Sequence, residues 1–132
     1  MKKILCVIIA CMTLLTGCQS TLQFQIEDAY SISITSGNTG KTIRLTNVND
    51  KKTITEQMNS ITFKKIKTSD DYSGWNYRII WYNNNKDVIE EIIVNDEMTI
   101  CYKKNVYVST NNKIDIQLFE ELLTQHRCKI DE

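Results

Sequence analysis

The 132-residue chain is dominated by short runs in which apolar and polar residues alternate. Residues 30–35 and 41–45 alternate in this way on either side of the Gly-rich turn 37–40, a pattern that predicts a β-hairpin. Similar runs, separated mostly by polar, Asn-rich segments, predict further strands at 61–66, 75–82, 88–94, 98–103 and 106–109. Both faces of the run 75–82 carry apolar side chains, so we expect this strand in the middle of a sheet.

Two segments follow the period of an amphipathic helix instead. A stripe formed by Ile54, Met58 and Ile61 predicts a helix of about two turns, with Thr53 as its N-cap because Glu56 follows three residues later. The second helix is predicted over residues 115–126 with Asp115 as its N-cap. Its apolar stripe consists of Leu118, Phe119, Leu122 and Leu123.

The order of these elements predicts the fold class. Two strands, a helix, several strands and a final helix indicate an α+β protein with a single antiparallel sheet, a meander, and two helices packed on one face. We expect one such domain over residues 29–132, without internal repeats. Residues 18–28 are predicted to be a tether in front of it.

Residues 1–17 have the features of an export signal. A basic start is followed by the apolar run 4–15, which is shorter than the about 20 residues of a membrane-spanning helix. The sequence Leu15-Thr16-Gly17-Cys18 then resembles the lipobox of bacterial lipoproteins. The resemblance implies cleavage between Gly17 and Cys18, a diacylglyceryl group on the Cys18 thiol and further acylation, for example with palmitate. Several acyl chains anchor a protein stably, whereas one binds only marginally.

The remainder of the chain resembles a group of small bacterial lipoproteins that carry a domain of unknown function. The residues that carry this resemblance are 36–40, 51–65 and 114–123, and it extends over about residues 29–125. It implies a small α+β domain and supplies no catalytic residues. The two resemblances together predict a lipid-anchored protein on the extracytoplasmic face of the cell membrane.

The charge balance argues against a nucleic-acid partner. The chain has 16 basic and 16 acidic residues, and loss of Lys2 and Lys3 with the signal would leave a slight negative excess. Nucleic-acid binding requires a clustered basic face, which this composition does not indicate.

Two of the five cysteines are expected in the mature domain, because Cys6 and Cys11 precede the cut and Cys18 carries the lipid. Cys101 and Cys128 would meet oxidising surroundings after export and could form a disulfide. Two separate, buried thiols are the alternative.

Residues with catalytic or metal-binding chemistry are few and scattered. His126 is the single histidine, whereas a zinc site needs three or four ligands. The acidic pair Glu90-Glu91 lies on a predicted strand and therefore points to opposite faces. Asp70-Asp71 could contribute to a calcium site, but its spacing is not that of an EF-hand. We expect no catalytic residues, no metal and no cofactor.

Aromatic residues are concentrated between positions 72 and 82. Tyr72, Trp75 and Tyr82 are the candidate binding residues, and packing in the core or in a loop is the alternative role. We therefore expect a membrane-anchored envelope lipoprotein with a non-enzymatic domain that binds a protein or an envelope glycan. An envelope hydrolase or metal-dependent enzyme is one alternative, and a structural or inhibitory protein acting through a sheet edge is the other.

Overall fold

A computed structural model describes residues 20–68 and 74–128 of the chain. The signal, Cys18, the Asp70-Asp71 pair and Tyr72 lie outside these ranges. The elements are β1 (Thr21–Gln23), β2 (Ser31–Ser36), β3 (Thr42–Leu45), α1 (Val48–Ser60), β4 (Thr62–Thr68), β5 (Tyr77–Tyr82), β6 (Val88–Val94), β7 (Thr99–Tyr102), β8 (Asn105–Ser109) and α2 (Ile116–Cys128).

All eight strands of the described chain form one antiparallel sheet in the order β1-β4-β8-β7-β6-β5-β2-β3. Strands β5 to β8 form a meander, and the β2–β3 hairpin continues the sheet beside β5. Strand β4 joins the opposite side, next to β8, because α1 crosses the sheet between β3 and β4. The predicted α+β fold with a single antiparallel sheet is confirmed.

Both helices lie on the same face of the sheet, as expected. Tyr77 and Trp81 share one face of β5, since side chains two or four residues apart on a strand point the same way. The hydroxyl of Tyr77 donates a hydrogen bond to Glu120 of α2, and Trp81 Nε1 donates to Thr55 Oγ1 of α1 at 3.0 Å. The core lies between this face and the two helices.

Helix α1 starts earlier than its apolar stripe predicted. Its N-cap is Asn47, whose side-chain oxygen accepts hydrogen bonds from the backbone N–H groups of Asn49 and Asp50 at 2.8 and 3.2 Å. Thr53, the predicted cap, is inside the helix and donates to the Asn49 carbonyl. The first turn is polar because it faces solvent, so the prediction of a two-turn helix capped by Thr53 was wrong.

The start of α2 agrees with the prediction. Asp115 Oδ1 accepts a hydrogen bond from the backbone N–H of Leu118 at 3.2 Å, which is the bond an N-cap carboxylate makes. The backbone N–H of Asp115 itself donates to Gln57 Oε1 of α1 at 2.7 Å. The capped end of α2 is therefore also tied to the neighbouring helix.

The segment predicted as a tether belongs to the folded domain. Residues 21–23 form β1, which pairs with β4, and Phe24 and Ile26 are buried in the core. The Asn59 side-chain amide accepts from the Ile26 N–H and donates to the Ile26 carbonyl, both at 2.9 Å. The domain boundary expected at residue 29 was therefore wrong, since residues from β1 onward belong to the domain.

Candidate binding surface

One face of the sheet is covered by neither described helix, and we call it the open face. It carries the side chains that alternate with the core positions: Ser31, Ser33 and Thr35 of β2, Thr42 and Arg44 of β3, Arg78, Ile80 and Tyr82 of β5, Glu91 and Ile93 of β6, and Cys101 of β7. Their arrangement across the sheet follows from the strand register, which places positions of neighbouring strands side by side.

Arg44 reaches across β2 to the aromatic ring of Tyr82. Arg44 lies opposite Ser33, whereas Tyr82 lies opposite Ser31, and the Arg44 Cζ atom is 5.6 Å from the centre of the Tyr82 ring. This stacking accounts for the burial of Ser31 and Ser33, which face the side of the sheet without helices. A guanidinium is thereby held above β2, near the β3 edge of the open face.

A second arginine is stacked in the same way at the other end of β5. The Arg78 Cζ atom is 5.1 Å from the centre of the Trp75 ring, and its Nε is 3.4 Å from Glu91 Oε1. Gly37 approaches Trp75 closely, because a Cβ added at Gly37 would lie 2.2 Å from the Trp75 carbonyl oxygen and 3.0 Å from its ring atom Cε3. Gly37 N–H also donates to the Asn76 carbonyl at 2.7 Å.

The chemistry of this face suits a polar or anionic partner. A guanidinium has five N–H donors and no acceptor, and stacking on a ring fixes its plane without using those donors. Thr35 and Thr42, whose hydroxyls are hydrogen-bonded to each other at 2.8 Å, add acceptors and donors beside the arginines. Ile80 and Ile93, both half-buried, provide apolar area between the charged groups.

The predicted aromatic residues do not form one cluster. Trp75 and Tyr82 flank β5 at opposite ends, and a six-residue strand is about 20 Å long. Each ring is paired with an arginine rather than with the other ring. Arg44 and Arg78, which sequence reasoning missed, were visible only as polar positions in alternating strands, because their partners depend on the strand register.

Cys101 is a free thiol on the open face, where its Sγ accepts a hydrogen bond from Asn95 Nδ2 at 3.1 Å. Helix α2, which ends at Cys128, packs on the other face of the sheet. Cys101 is unpaired in this structure, so the disulfide that it could form with Cys128 is not present.

On the face of the sheet that carries the helices, two carboxylates accept hydrogen bonds from the buried Tyr77 and the half-buried Tyr102. Burial, followed by the hydrogen bond to Glu120 and its charge, raises the pKa of Tyr77 above its ordinary range. Burial and Glu90, whose Oε2 is 3.0 Å from the hydroxyl, likewise raise the pKa of Tyr102. Glu90 and Glu91 point to opposite faces, as predicted, since Glu91 is paired with Arg78.

The other candidate features are the single histidine, possible metal ligands and possible membrane-spanning helices. His126 lies half-buried in the last part of α2. Among residues 20–68 and 74–128, no three His, Cys, Asp or Glu side chains are grouped in a way that could hold a metal ion. Neither helix in these ranges is long and apolar enough to cross a membrane.

A groove of about 780 Å³ lies between α1 and residues 26–29. Its walls are held together by the chain itself, because Lys51 Nζ donates to the carbonyls of Ala29 and Tyr30 at 2.7 and 3.0 Å. Charges of both signs line it, including Asp28 and Lys52. These contacts serve the packing of residues 26–29 onto α1, so the open face is the stronger candidate surface.

The two edges of the sheet are short. Strand β1 has three residues and β3 has four. Short edge strands limit pairing with another chain, which makes a sheet edge a weaker candidate surface than the open face.

No family model, no curated protein and no solved structure matches this chain.

Proposed function

We propose that this protein is a lipoprotein of the cell envelope, anchored to the membrane through Cys18, whose domain binds a partner through the open face without catalysing a reaction. The partner is a protein or a glycan of the envelope that presents acidic or hydroxyl groups. The anchor is supported by the sequence Leu15-Thr16-Gly17-Cys18, since acylation at such a site gives stable membrane attachment.

The binding function is inferred mainly from the two stacked arginines on the open face, Arg44 and Arg78. Arg44 is positioned by Tyr82, and Arg78 by Trp75 and Glu91. An arginine that is fixed in one conformation loses less side-chain entropy when it binds, which favours affinity. Arginine and aromatic residues are also the types enriched at the energetic centres of protein interfaces.

Site-specific photo-crosslinking in the native membrane tests this function. A photoreactive amino acid at Ile80, in the middle of the open face, is compared with one at Glu121, on the exposed side of α2. We expect a discrete adduct from position 80 and none from position 121. Sensitivity of the adduct to protease or to glycan hydrolases then identifies the partner as a protein or a glycan.

Loss of an arginine provides the specificity control. The change Arg44→Ala, introduced together with the photoreactive residue at position 80, should weaken binding, and with it the adduct, about five- to thirtyfold, because arginine anchors contribute roughly 1–2 kcal/mol to interfaces. An adduct of equal yield from positions 80 and 121, or one unaffected by Arg44→Ala, would contradict binding through the open face. Cys18→Ala tests the anchor separately, since it should abolish partitioning into the detergent phase.

A further inference from the structure

The side of the sheet formed by β1, β4 and β8 is exclusively basic among the charged residues that the structure describes there. We call the described part of these strands, with the β7–β8 turn, the basic edge. Its five lysines are Lys64, Lys65, Lys67, Lys103 and Lys104, and residues 20–23, 62–68 and 103–109 include no acidic residue. All of residues 64–68 are exposed, so this charge faces solvent.

An exposed apolar residue, Ile66, lies between the lysines of the basic edge. The register of β4 against β8 shifts between Lys65 and Lys67, which leaves Ile66 as the extra residue of a β-bulge. Ile66 is 54% exposed. Lysines on an edge strand can simply prevent pairing with another chain. That role does not require an exposed isoleucine between them, whereas an apolar side chain flanked by lysines is the combination that binds the surface of an anionic bilayer.

Ser20, the first described residue, lies beside the basic edge and brings the proposed anchor site Cys18 close to it. Lys65 N–H donates to the Ser20 carbonyl at 3.0 Å, and Thr21 lies opposite Lys64. Cys18 is two residues before Ser20, so its Cα is at most about 7 Å from that of Ser20. A lipid on Cys18 would therefore be attached next to β1 and β4, and headgroup charges within the Debye length of about 8 Å at physiological ionic strength would attract these lysines with little screening.

From this juxtaposition we propose that the basic edge, with Ile66 at its centre, binds the anionic phospholipid headgroups of the bilayer that holds the anchor. This inference rests on the proposed lipid anchor at Cys18. It adds an orientation, in which the β1–β4–β8 side of the sheet faces the membrane and β3 points away from it.

Spin labelling of the acylated mature protein, which begins at Cys18, tests this orientation in vesicles. The label is placed through Thr68→Cys, at the end of β4 in the basic edge, or through Asn38→Cys, in the β2–β3 turn at the other side of the sheet. Both changes are made in a Cys101→Ser/Cys128→Ser background. Contact with the bilayer is measured as relaxation of the label by nickel chelated to lipid headgroups, in vesicles of phosphatidylcholine with or without phosphatidylglycerol.

We expect strong relaxation at position 68, only in vesicles with phosphatidylglycerol, and weak relaxation at position 38. High salt should reduce it, since the Debye length falls to about 3 Å at about 1 M. Lys64→Gln/Lys65→Gln should shift the equilibrium away from the bound orientation about 25-fold, from about fivefold per lysine. Lys52→Gln/Lys113→Gln, which removes two exposed lysines elsewhere, should leave it unchanged.

The outcomes separate this inference from the proposed function. Protein that floats with the vesicles but gives equal relaxation at position 68 with and without phosphatidylglycerol would overturn the membrane-facing edge and leave the anchor intact. The lysines would then serve only to prevent this edge of the sheet from pairing with another chain. Protein with an intact Cys18 that does not float with vesicles would overturn both.

Discussion

Phe24 gives the sharpest test of where the folded domain begins. Its side chain is 4% exposed and meets two other rings edge-on, Phe63 at 5.9 Å and Tyr102 at 5.0 Å between ring centres. These contacts connect the segment after β1 to strands β4 and β7. The change Phe24→Ala removes all of them and leaves a cavity in the core.

The expected loss is large compared with the stability of a domain. Replacing a buried phenylalanine by alanine costs about 3–5 kcal/mol, whereas domains of this size unfold with a free energy of about 5–15 kcal/mol. With a urea dependence of about 2 kcal/mol per M, the midpoint of unfolding should fall by about 2 M. The fluorescence of buried Trp81 reports this transition in the full chain purified in mild detergent.

The neighbouring residue supplies the control. Gln25 is exposed, so Gln25→Ala should change the free energy of unfolding by no more than about 0.5 kcal/mol. A Phe24→Ala protein that unfolds within about 0.5 kcal/mol of the wild type would refute the reasoning, because residues 18–28 would then behave as the tether that their sequence predicted.

Three further changes test other parts of the structure. Asn47→Ala should lower the unfolding free energy by about 1 kcal/mol through loss of the α1 cap, whereas Thr53→Ala should change the urea midpoint little. Gly37→Ala should displace Trp75 and shift its fluorescence while the far-ultraviolet circular dichroism stays the same. The raised pKa of Tyr77 means that its neutral form stabilises the fold below about pH 10 and that this contribution is lost as the pH rises further. Tyr77→Phe should therefore reduce the loss of stability between about pH 9 and pH 11, measured by urea unfolding at each pH.

The strands were predictable because the covered face requires an apolar side chain at every second position. The runs 88–94 and 106–109 correspond to β6 and β8 within one residue. The turns before these two strands are polar and consist mostly of Asn and Lys, and Lys86 and Lys104 adopt positive φ there. Both signals are local, so they are readable from the sequence.

Features that depend on distant residues were not predictable. The apolar alternation of Leu22, Phe24 and Ile26 was visible, but its partner strand β4 lies about 40 residues later, and the pattern alone does not reveal that pairing. The first turn of α1 was missed because a solvent-facing turn has no apolar stripe. Its start is determined by the bonds that Asn47 makes to the backbone.

The two proposed surfaces lie on different parts of the same sheet, which allows both to act at once. The basic edge includes β1, and the Arg44–Tyr82 pair lies across β2, six strands away in the sheet. Neighbouring strands are about 4.8 Å apart, so this separation is about 30 Å. Because β1 pairs with β4 immediately after Ser20, a bilayer that holds Cys18 would act on this edge directly and not through a long linker. An edge held at the membrane would therefore leave the stacked arginines exposed to a partner at a distance from the lipid surface.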